Sequence, residues 1–222
     1  MTIGIGDPAA LGERHALEGA DELVDLDISA TREGRGTFTR LVSRVADRVN
    51  IPFTVGGGIS SLDDAAALLD AGADKISINS AAVRDPQLIS DIARRYGSQF
   101  VVVAIDARSG ADGEWHVTTH GGTRLTDRLL FPWAKEAQER GAGEILFTSM
   151  DHDGTRSGYP CDLYRRLTSS LSIPVIASGG AGSPDDIADV LTLGGADAAL
   201  AASIFHYGEI SIRDLKARLA TR

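Results

Sequence analysis

A single cysteine, Cys161, stands among 222 residues. No disulfide can therefore close within the chain, and the composition suits a reducing compartment such as the cytoplasm. No apolar run approaches the ~18 residues of a membrane span. Met1–Pro8 has neither the basic start nor the apolar stretch of a secretory signal. Positive charge is in deficit, with a formal net charge of −9, which argues against a nucleic-acid partner. It leaves phosphorylated small molecules open, because such sites are built largely from backbone N–H groups. The five histidines (His15, His116, His120, His152, His206) show no metal-ligand spacing, so no metal is expected. They read as structural or loop residues, with His120 and His152 the candidates for substrate contact. Trp115 and Trp133 read as packing groups. With no linker or low-complexity stretch, one domain over 1–222 is expected, long enough for a sizeable core.

What the sequence does hold is centred on Ile51-Pro52-Phe53-Thr54-Val55-Gly56-Gly57-Gly58-Ile59-Ser60. An apolar run closed by three glycines reads as a buried strand followed by a sharp turn. Ser60 and Ser61 then precede a helical stretch with Asp63 and Asp64 in its first turn. Strand, glycine turn and helix start make an anion site, since the first N–H groups of the helix lack partners. The pattern returns at Ile173-Pro174-Val175-Ile176-Ala177-Ser178-Gly179-Gly180-Ala181-Gly182-Ser183, 122 residues on.

Seven strands are predicted: Glu22–Ile28, Pro52–Val55, Lys75–Asn79, Phe100–Asp106, Glu144–Ser149, Pro174–Ser178 and Ala198–Phe205. Helical patterns lie near Phe38–Val49, Leu62–Ala71, Pro86–Tyr96, Leu130–Arg140, Asp162–Leu171, Pro184–Leu193 and Ile212–Ala220. Such alternation predicts a parallel α/β sheet covered on both faces. The stretch Glu114–Gly122 reads as a β-hairpin arm or an active-site loop. Gly19-Ala20-Asp21-Glu22-Leu23 is answered by Gly141-Ala142-Gly143-Glu144-Ile145, and Gly72-Ala73-Asp74 by Gly195-Ala196-Asp197. A repeat of this length predicts two half-barrels of four βα units, hence a (βα)8 TIM barrel. Seven of its eight strands are found. The counterpart of the strand ending at Asp106 would lie upstream of Met1, so the expectation is a barrel without its first βα unit.

Barrel enzymes react at the C-terminal ends of their strands. Asp106, after five apolar residues, is placed for acid–base work; it is equally a loop cap or a partner for Arg108. Asp27 ends the first predicted strand and is a candidate for catalysis or substrate contact; it shares a face with Asp25, which reads as a polar layer. Asp151-His152-Asp153-Gly154-Thr155 follows the fifth predicted strand; Asp153 is suited to a ribose hydroxyl or to the loop's own backbone. Asn79 and Ser80 stand beside Gly58. Ala202 and Ser203 hold the same relation to Gly180 and Ala181. Two matched sites predict a ligand with a phosphate at each end.

These stretches carry a resemblance. Gly56–Ile59, Ala73–Val83, Gly97–Gln99, Val102–Ala107, Gly141–Leu146, Asp153–Thr155, Ala177–Gly182 and Gly195–His206 resemble, in order, the cyclase subunit of imidazole glycerol phosphate synthase. The resemblance runs from about Gly6 to the end. It implies a (βα)8 barrel of histidine biosynthesis that takes ammonia from a HisH-like glutaminase subunit. The bis-phosphorylated nucleotide PRFAR would be converted to imidazole glycerol phosphate and AICAR, with no cofactor. By resemblance Asp106 is the general acid/base. Gly58, Asn79 and Ser80 form one phosphate site, and Gly154, Gly180, Ala181, Ala202 and Ser203 the other. Glu22, Lys75 and Glu144 match the ammonia entrance at the opposite end, with Asp74 and Gln99 near that route.

The family's first strand carries a second catalytic aspartate and a basic gate residue, and Met1–Ile5 offers no counterpart; two versions are open, one in which the true start lies upstream and all eight strands are present, the other in which the barrel is open and turnover is impaired. Pro160 stands where the family has Asp, Asp25 where it has an apolar residue, and Pro132 falls early in a predicted helix. Two alternatives remain at this stage: the sister phosphoribosyl-formimino isomerase of the pathway, and a non-catalytic glutaminase-binding subunit.

Overall fold

The computed structural model describes residues 7–26 and 35–221, leaving aside the side chains of 35–37. Asp27 and the end of the first predicted strand lie outside the described residues. Among the described residues there are nine strands: β1 (Leu23–Leu26), β2 (Phe53–Gly56), β3 (Lys75–Ile78), β4 (Val101–Ser109), β5 (Trp115–Thr119), β6 (Arg124–Leu129), β7 (Glu144–Ser149), β8 (Val175–Ser178) and β9 (Ala198–Ala199). The helices are α1 (Pro8–Leu17), α2 (Arg35–Ala46), α3 (Leu62–Asp70), α4 (Ser80–Arg84), α5 (Gln87–Tyr96), α6 (Leu130–Glu139), α7 (Cys161–Ser170), α8 (Pro184–Thr192), α9 (Ser203–His206) and α10 (Ile212–Leu219).

Seven strands pair in parallel in the order β1-β2-β3-β4-β7-β8-β9. Helices alternate with them, so this is a curled parallel sheet of the TIM-barrel class. Among the described residues β1 and β9 are the two ends of the path. The N-terminal segment nevertheless meets the C-terminal helices: the ring of His15 in α1 lies against that of His206 in α9, tilted, with centroids 5.4 Å apart, and Lys216 of α10 pairs with Asp21, ahead of β1, at 2.5 Å. The outward residues of the strands, among them Ile76, Ile78, Val101, Val103, Ile105, Ile145 and Phe147, are buried under the helices.

The internal repeat is one of hydrogen bonds as well as of letters. Leu23 N–H donates to the Pro52 carbonyl, and Ile145 N–H to that of Pro174, each at 2.9 Å. Each proline begins a strand where a missing N–H costs nothing. Asp74 receives the Phe53 N–H on its carboxylate and returns its own N–H to the Phe53 carbonyl; Asp197 does the same with Val175. This explains the Gly-Ala-Asp repeats: each aspartate clamps the start of the preceding strand. Ser61 caps α3 by accepting from Asp64 N–H, and Ser183 caps α8 by accepting from Asp186 N–H. The Asp64 and Asp186 carboxylates reach back to the N–H groups of Ser60 and Ser183. At α8 this makes a reciprocal capping box, while at α3 the carboxylate takes the N–H one residue ahead of the cap; in both the serine satisfies a donor that the first helical turn leaves open.

Five expectations change. The strand predicted over Ala198–Phe205 is only Ala198–Ala199, followed by helix α9. The backbone turns at Ala202 (φ −118°, ψ −65°), as it does at Asn79 (φ −125°, ψ −91°), and each turn opens a short helix. Ser80 and Ser203 therefore begin helices rather than end strands. Asp106 is not the last residue of its strand. β4 runs on to Ser109 because β5 pairs with its continuation in antiparallel register, Asp106 opposite Thr118. Phe100 belongs to a 3-10 turn, Ser98–Phe100, ahead of β4. Helix α1 was not expected, although it stands 122 residues before α6 at both ends.

The stretch after β4 is the hairpin arm, β5 paired with β6. Pro132 is the third residue of α6, where its lack of an N–H is tolerated. Pro160 precedes α7 as its N-cap. Asp25 is half-buried, not enclosed in the core. Trp133 is fully buried, with the Arg128 guanidinium 4.4 Å above its ring, and Trp115 meets Phe147 edge-on, so both tryptophans pack.

Candidate active site

Side chains alternate along a strand, and the parallel register turns that alternation into two polar clusters on the inner face. Lys75 and Ser77 follow one another along β3, with Asn79 just past its end; Val102, Ala104 and Asp106 along β4; Glu144, Leu146 and Thr148 along β7. The register sets Ser77 opposite Val102, Val102 opposite Glu144, and Asp106 opposite Thr148. Lys75 and Glu144 thus fall at the N-terminal end of the strands, and Asn79, Asp106 and Thr148 at the C-terminal end. Four residue steps lead from Lys75 to Asn79, about 13 Å at ~3.3 Å per residue.

At the C-terminal end the Asn79 amide donates to Asp106 Oδ2 at 2.9 Å. Burial pushes the Asp106 carboxyl up to about 6. Hydrogen bonds from Asn79 and the Thr148 hydroxyl hold it below where burial alone would put it, and the nearby Asp153 charge raises it again. Thr118 donates to the Asp106 carbonyl at 3.1 Å, which ties the hairpin arm to the same point of β4. No bond to Arg108 is seen; Arg108 is opposite His116, further along the arm. The Asp106 carboxylate therefore exchanges a proton near neutral pH from a fixed position, which is what general acid–base chemistry needs.

Two backbone cups flank it. The first follows β2 and β3. Gly57 (φ 110°) and Gly58 (φ 65°) make a turn that an L side chain would strain, and Ser80 opens α4 after the neighbouring strand β3. Ser80 Oγ accepts the backbone N–H of His120, at the tip of the hairpin arm, at 3.0 Å. The second cup joins the loops after β7, β8 and β9. Gly158 N–H donates to the Gly180 carbonyl at 3.0 Å, and Tyr159 Oη donates to the Leu200 carbonyl at 3.0 Å. A Cβ on Gly180 would sit 2.3 Å from the Gly158 carbonyl oxygen, so only glycine permits this approach. Ala181 packs half-buried against the core, and Ala202 precedes Ser203 at the start of α9. Gly154 (φ 72°) faces open space in the loop after β7. Asp153 lies exposed in that loop, its N–H donating to the Ser149 carbonyl. His152 Nδ1 is 2.8 Å from Ser149 Oγ and anchors the same turn.

At the N-terminal end Lys75 Nζ donates to Glu22 Oε2 at 2.8 Å and to Glu144 Oε1 at 2.7 Å. Burial pulls the ammonium down, yet the hydrogen bonds to Glu144 and Glu22 outweigh it, and the net shift is upward. The Thr54 hydroxyl donates to Glu22 Oε1. Asp74 sits at this end as the clamp on Phe53, and Gln99 bonds the Tyr96 carbonyl from an exposed position. Among the described residues no cluster of His, Cys, Asp and Glu is arranged to hold a metal.

Sequence reasoning passed over Thr148, Thr54 and the pair Arg156–Glu209. The first was legible: counting by twos from Glu144 along its strand reaches Thr148. The others depend on contacts between distant segments.

A family model for histidine biosynthesis proteins matches residues 2–211. The chain is 59% identical over 214 residues to the imidazole glycerol phosphate synthase subunit HisF of Bacteroides fragilis, covering 96% of this chain and 85% of that protein. It is 60% identical over 217 residues to the same subunit of Acidobacterium capsulatum, covering 98% of this chain and 85% of the relative. For that of Flavobacterium psychrophilum the identity is 58% over 214 residues, again 96% of this chain and 85% of the relative. Matches of this length and identity, together with the parallel sheet and its internal repeat, make the chain a member of the histidine biosynthesis protein family, among the HisF subunits of imidazole glycerol phosphate synthase.

Proposed function

We propose that this chain performs the cyclase step of imidazole glycerol phosphate synthase, with Asp106 as the proton-transferring group. The observation that carries the residue assignment is the position of Asp106: a carboxylate near pKa 6, held by Asn79, with a glycine-built cup on either side. A ligand with two phosphates fits that arrangement. One phosphate takes Gly58, Asn79 and Ser80; the other takes Gly154, Gly180, Ala181, Ala202 and Ser203. Backbone N–H groups at such turns bind anions without requiring net positive charge, in keeping with the chain's −9. The middle of the ligand then lies over Asp106. In its charged form Asp106 removes a proton as ammonia adds to the PRFAR chain; protonated, it returns one as AICAR leaves. Burial keeps Asp106 above the ordinary carboxylate range, and the Asp153 charge adds to it.

Ammonia is proposed to reach this point from a glutaminase partner docked at the N-terminal end of the strands, where Glu22, Lys75 and Glu144 form a polar plug. About 13 Å of inner strand face separates plug from carboxylate, by the ~3.3 Å rise per residue.

The test is turnover of PRFAR by the purified chain with an ammonium salt as nitrogen source, followed by the appearance of AICAR. Product formation that falls on order of 10²–10⁴-fold in Asp106→Asn is the expected result. Isomerisation of the pathway's preceding bis-phosphate, without cyclisation, would favour the sister enzyme instead. Stimulation of a glutaminase by a chain that cyclises nothing would favour the binding role.

A further inference from the structure

Among the described residues only two that are not glycine hold a left-handed backbone: His120 (φ 56°) and Arg156 (φ 59°). Such conformations cost energy and persist only where surrounding contacts enforce them. For Arg156 the contacts are specific. Its guanidinium makes a two-pronged bridge to Glu209, Nη1 to Oε2 at 2.9 Å and Nη2 to Oε1 at 2.8 Å. Glu209 follows α9 and is tied back to it, its N–H donating to the Ile204 carbonyl at 3.0 Å. On its other side the Arg156 backbone presses on the glycine loop after β8. A Cβ on Gly182 would lie 2.4 Å from the Arg156 carbonyl oxygen. Arg156, in the loop after β7, therefore touches both the loop after β8 and the segment after α9.

We propose that the Arg156–Glu209 bridge is a clamp that sets the second phosphate cup, making Arg156 a positioning residue for the ligand's second phosphate. The proposal rests on the two-phosphate reading above and adds to it a named determinant of affinity. A planar guanidinium paired to a carboxylate by two parallel bonds fixes an orientation, not merely a distance. It holds the Asp151–Gly158 segment closed on Gly180 before ligand arrives, so that less loop ordering is left for the binding step. Because both groups are about two-fifths exposed, the clamp is also screened by salt.

The experiment compares wild type with Arg156→Gln, Glu209→Gln and the exchange Arg156→Glu/Glu209→Arg. It measures kcat and KM for PRFAR, and separately the affinity for inorganic phosphate by calorimetry. Each single variant is expected to raise KM and weaken phosphate binding about tenfold, the scale of one charge-assisted contact, with kcat changed less than about twofold. The exchange should recover most of the loss. Added salt should raise KM in wild type more than in either single variant. Equal KM and equal phosphate affinity in all four proteins would overturn the clamp. So would opposite effects, with Glu209→Gln tightening phosphate while Arg156→Gln loosens it, since Arg156 would then grip the ligand itself and Glu209 would merely compete. A wild type that binds phosphate with the expected variant pattern but never cyclises PRFAR would defeat the functional reading and leave the clamp standing.

Discussion

Asp106 and Asn79 carry a conflict between stability and chemistry. Folding raises the Asp106 pKa from 3.8 to about 6. The folded state therefore holds the proton more tightly than the unfolded state between those values. Its contribution to stability is full below 3.8 and is lost as pH rises through 6, leaving a charged, desolvated group at neutral pH. A shift of this size corresponds to at most about 3 kcal/mol. Asp106→Asn is thus expected to raise the melting temperature at pH 8 while turnover collapses, a trade often found at active sites. Thermal melts of both proteins at pH 8 check it, and an equal or lower midpoint for the variant would count against a costly buried charge. Asn79→Ala removes a donor that favours the charged carboxylate. The lower limb of the pH–rate profile should then move upward from about 6, and a limb that stays put would mean Asp106 is not the group it reports.

At the scale of the element, the duplicated caps offer a controlled comparison. Ser61 on α3 and Ser183 on α8 make the same bond to an aspartate N–H three residues on. Ser183→Ala and Ser61→Ala should each cost ~1 kcal/mol, the usual loss for an N-cap, measurable as a lowered urea midpoint with unchanged slope. The strand-start clamps behave differently. Asp197→Ala takes away an acceptor for the partly buried Val175 N–H as well as an ion. An orphaned donor costs about 1–3 kcal/mol, so this variant should be the more damaging of the two kinds. A cap variant worse than the clamp variant would show that the helices, not the strand starts, hold the half-barrel's geometry. Such caps, the Pro8 that opens α1 and the glycine turns are written within a few residues of chain. That is why most helix positions and the repeat could be read from sequence, and why α1, which its match with α6 would have disclosed, need not have been missed.

For the molecule as a whole, the meeting of α1 with the C-terminal helices ties the two ends of the strand path together. His15 Nε2 lies 3.4 Å from His206 Nδ1. Burial lowers the pKa of both, with Arg14 adding to the effect on each, His206 adding to that on His15, and Glu18 alone opposing it at His15. With folded values below 6.5, the unfolded chain binds more protons in the window beneath 6.5. Stability is therefore present above 6.5 and falls as pH drops through that window. Asp106 gains stability over the same window, so the informative measure is the difference between variant and wild type: His15→Phe should melt progressively higher relative to wild type as pH drops from 7.5 to 5.5, and a constant difference would place the acid sensitivity elsewhere.

Taken alone, the order of residues determined the parallel α/β class, the half-barrel repeat, the glycine turns and the candidacy of Asp106, because each depends on periodicity or on a backbone preference expressed locally. Tertiary structure decided what stands opposite what. Register alone sets Thr148 beside Asp106 and Glu144 beside Val102. The third dimension alone brings Glu22 and Glu144 to one Lys75, joins Arg156 to Glu209, and turns the end of a predicted strand at Ala198–Phe205 into a short helix. Contacts between segments 50 or more residues apart in sequence leave no periodic trace in either segment. Only packing, with burial of the groups involved, selects among the many pairs that composition would allow.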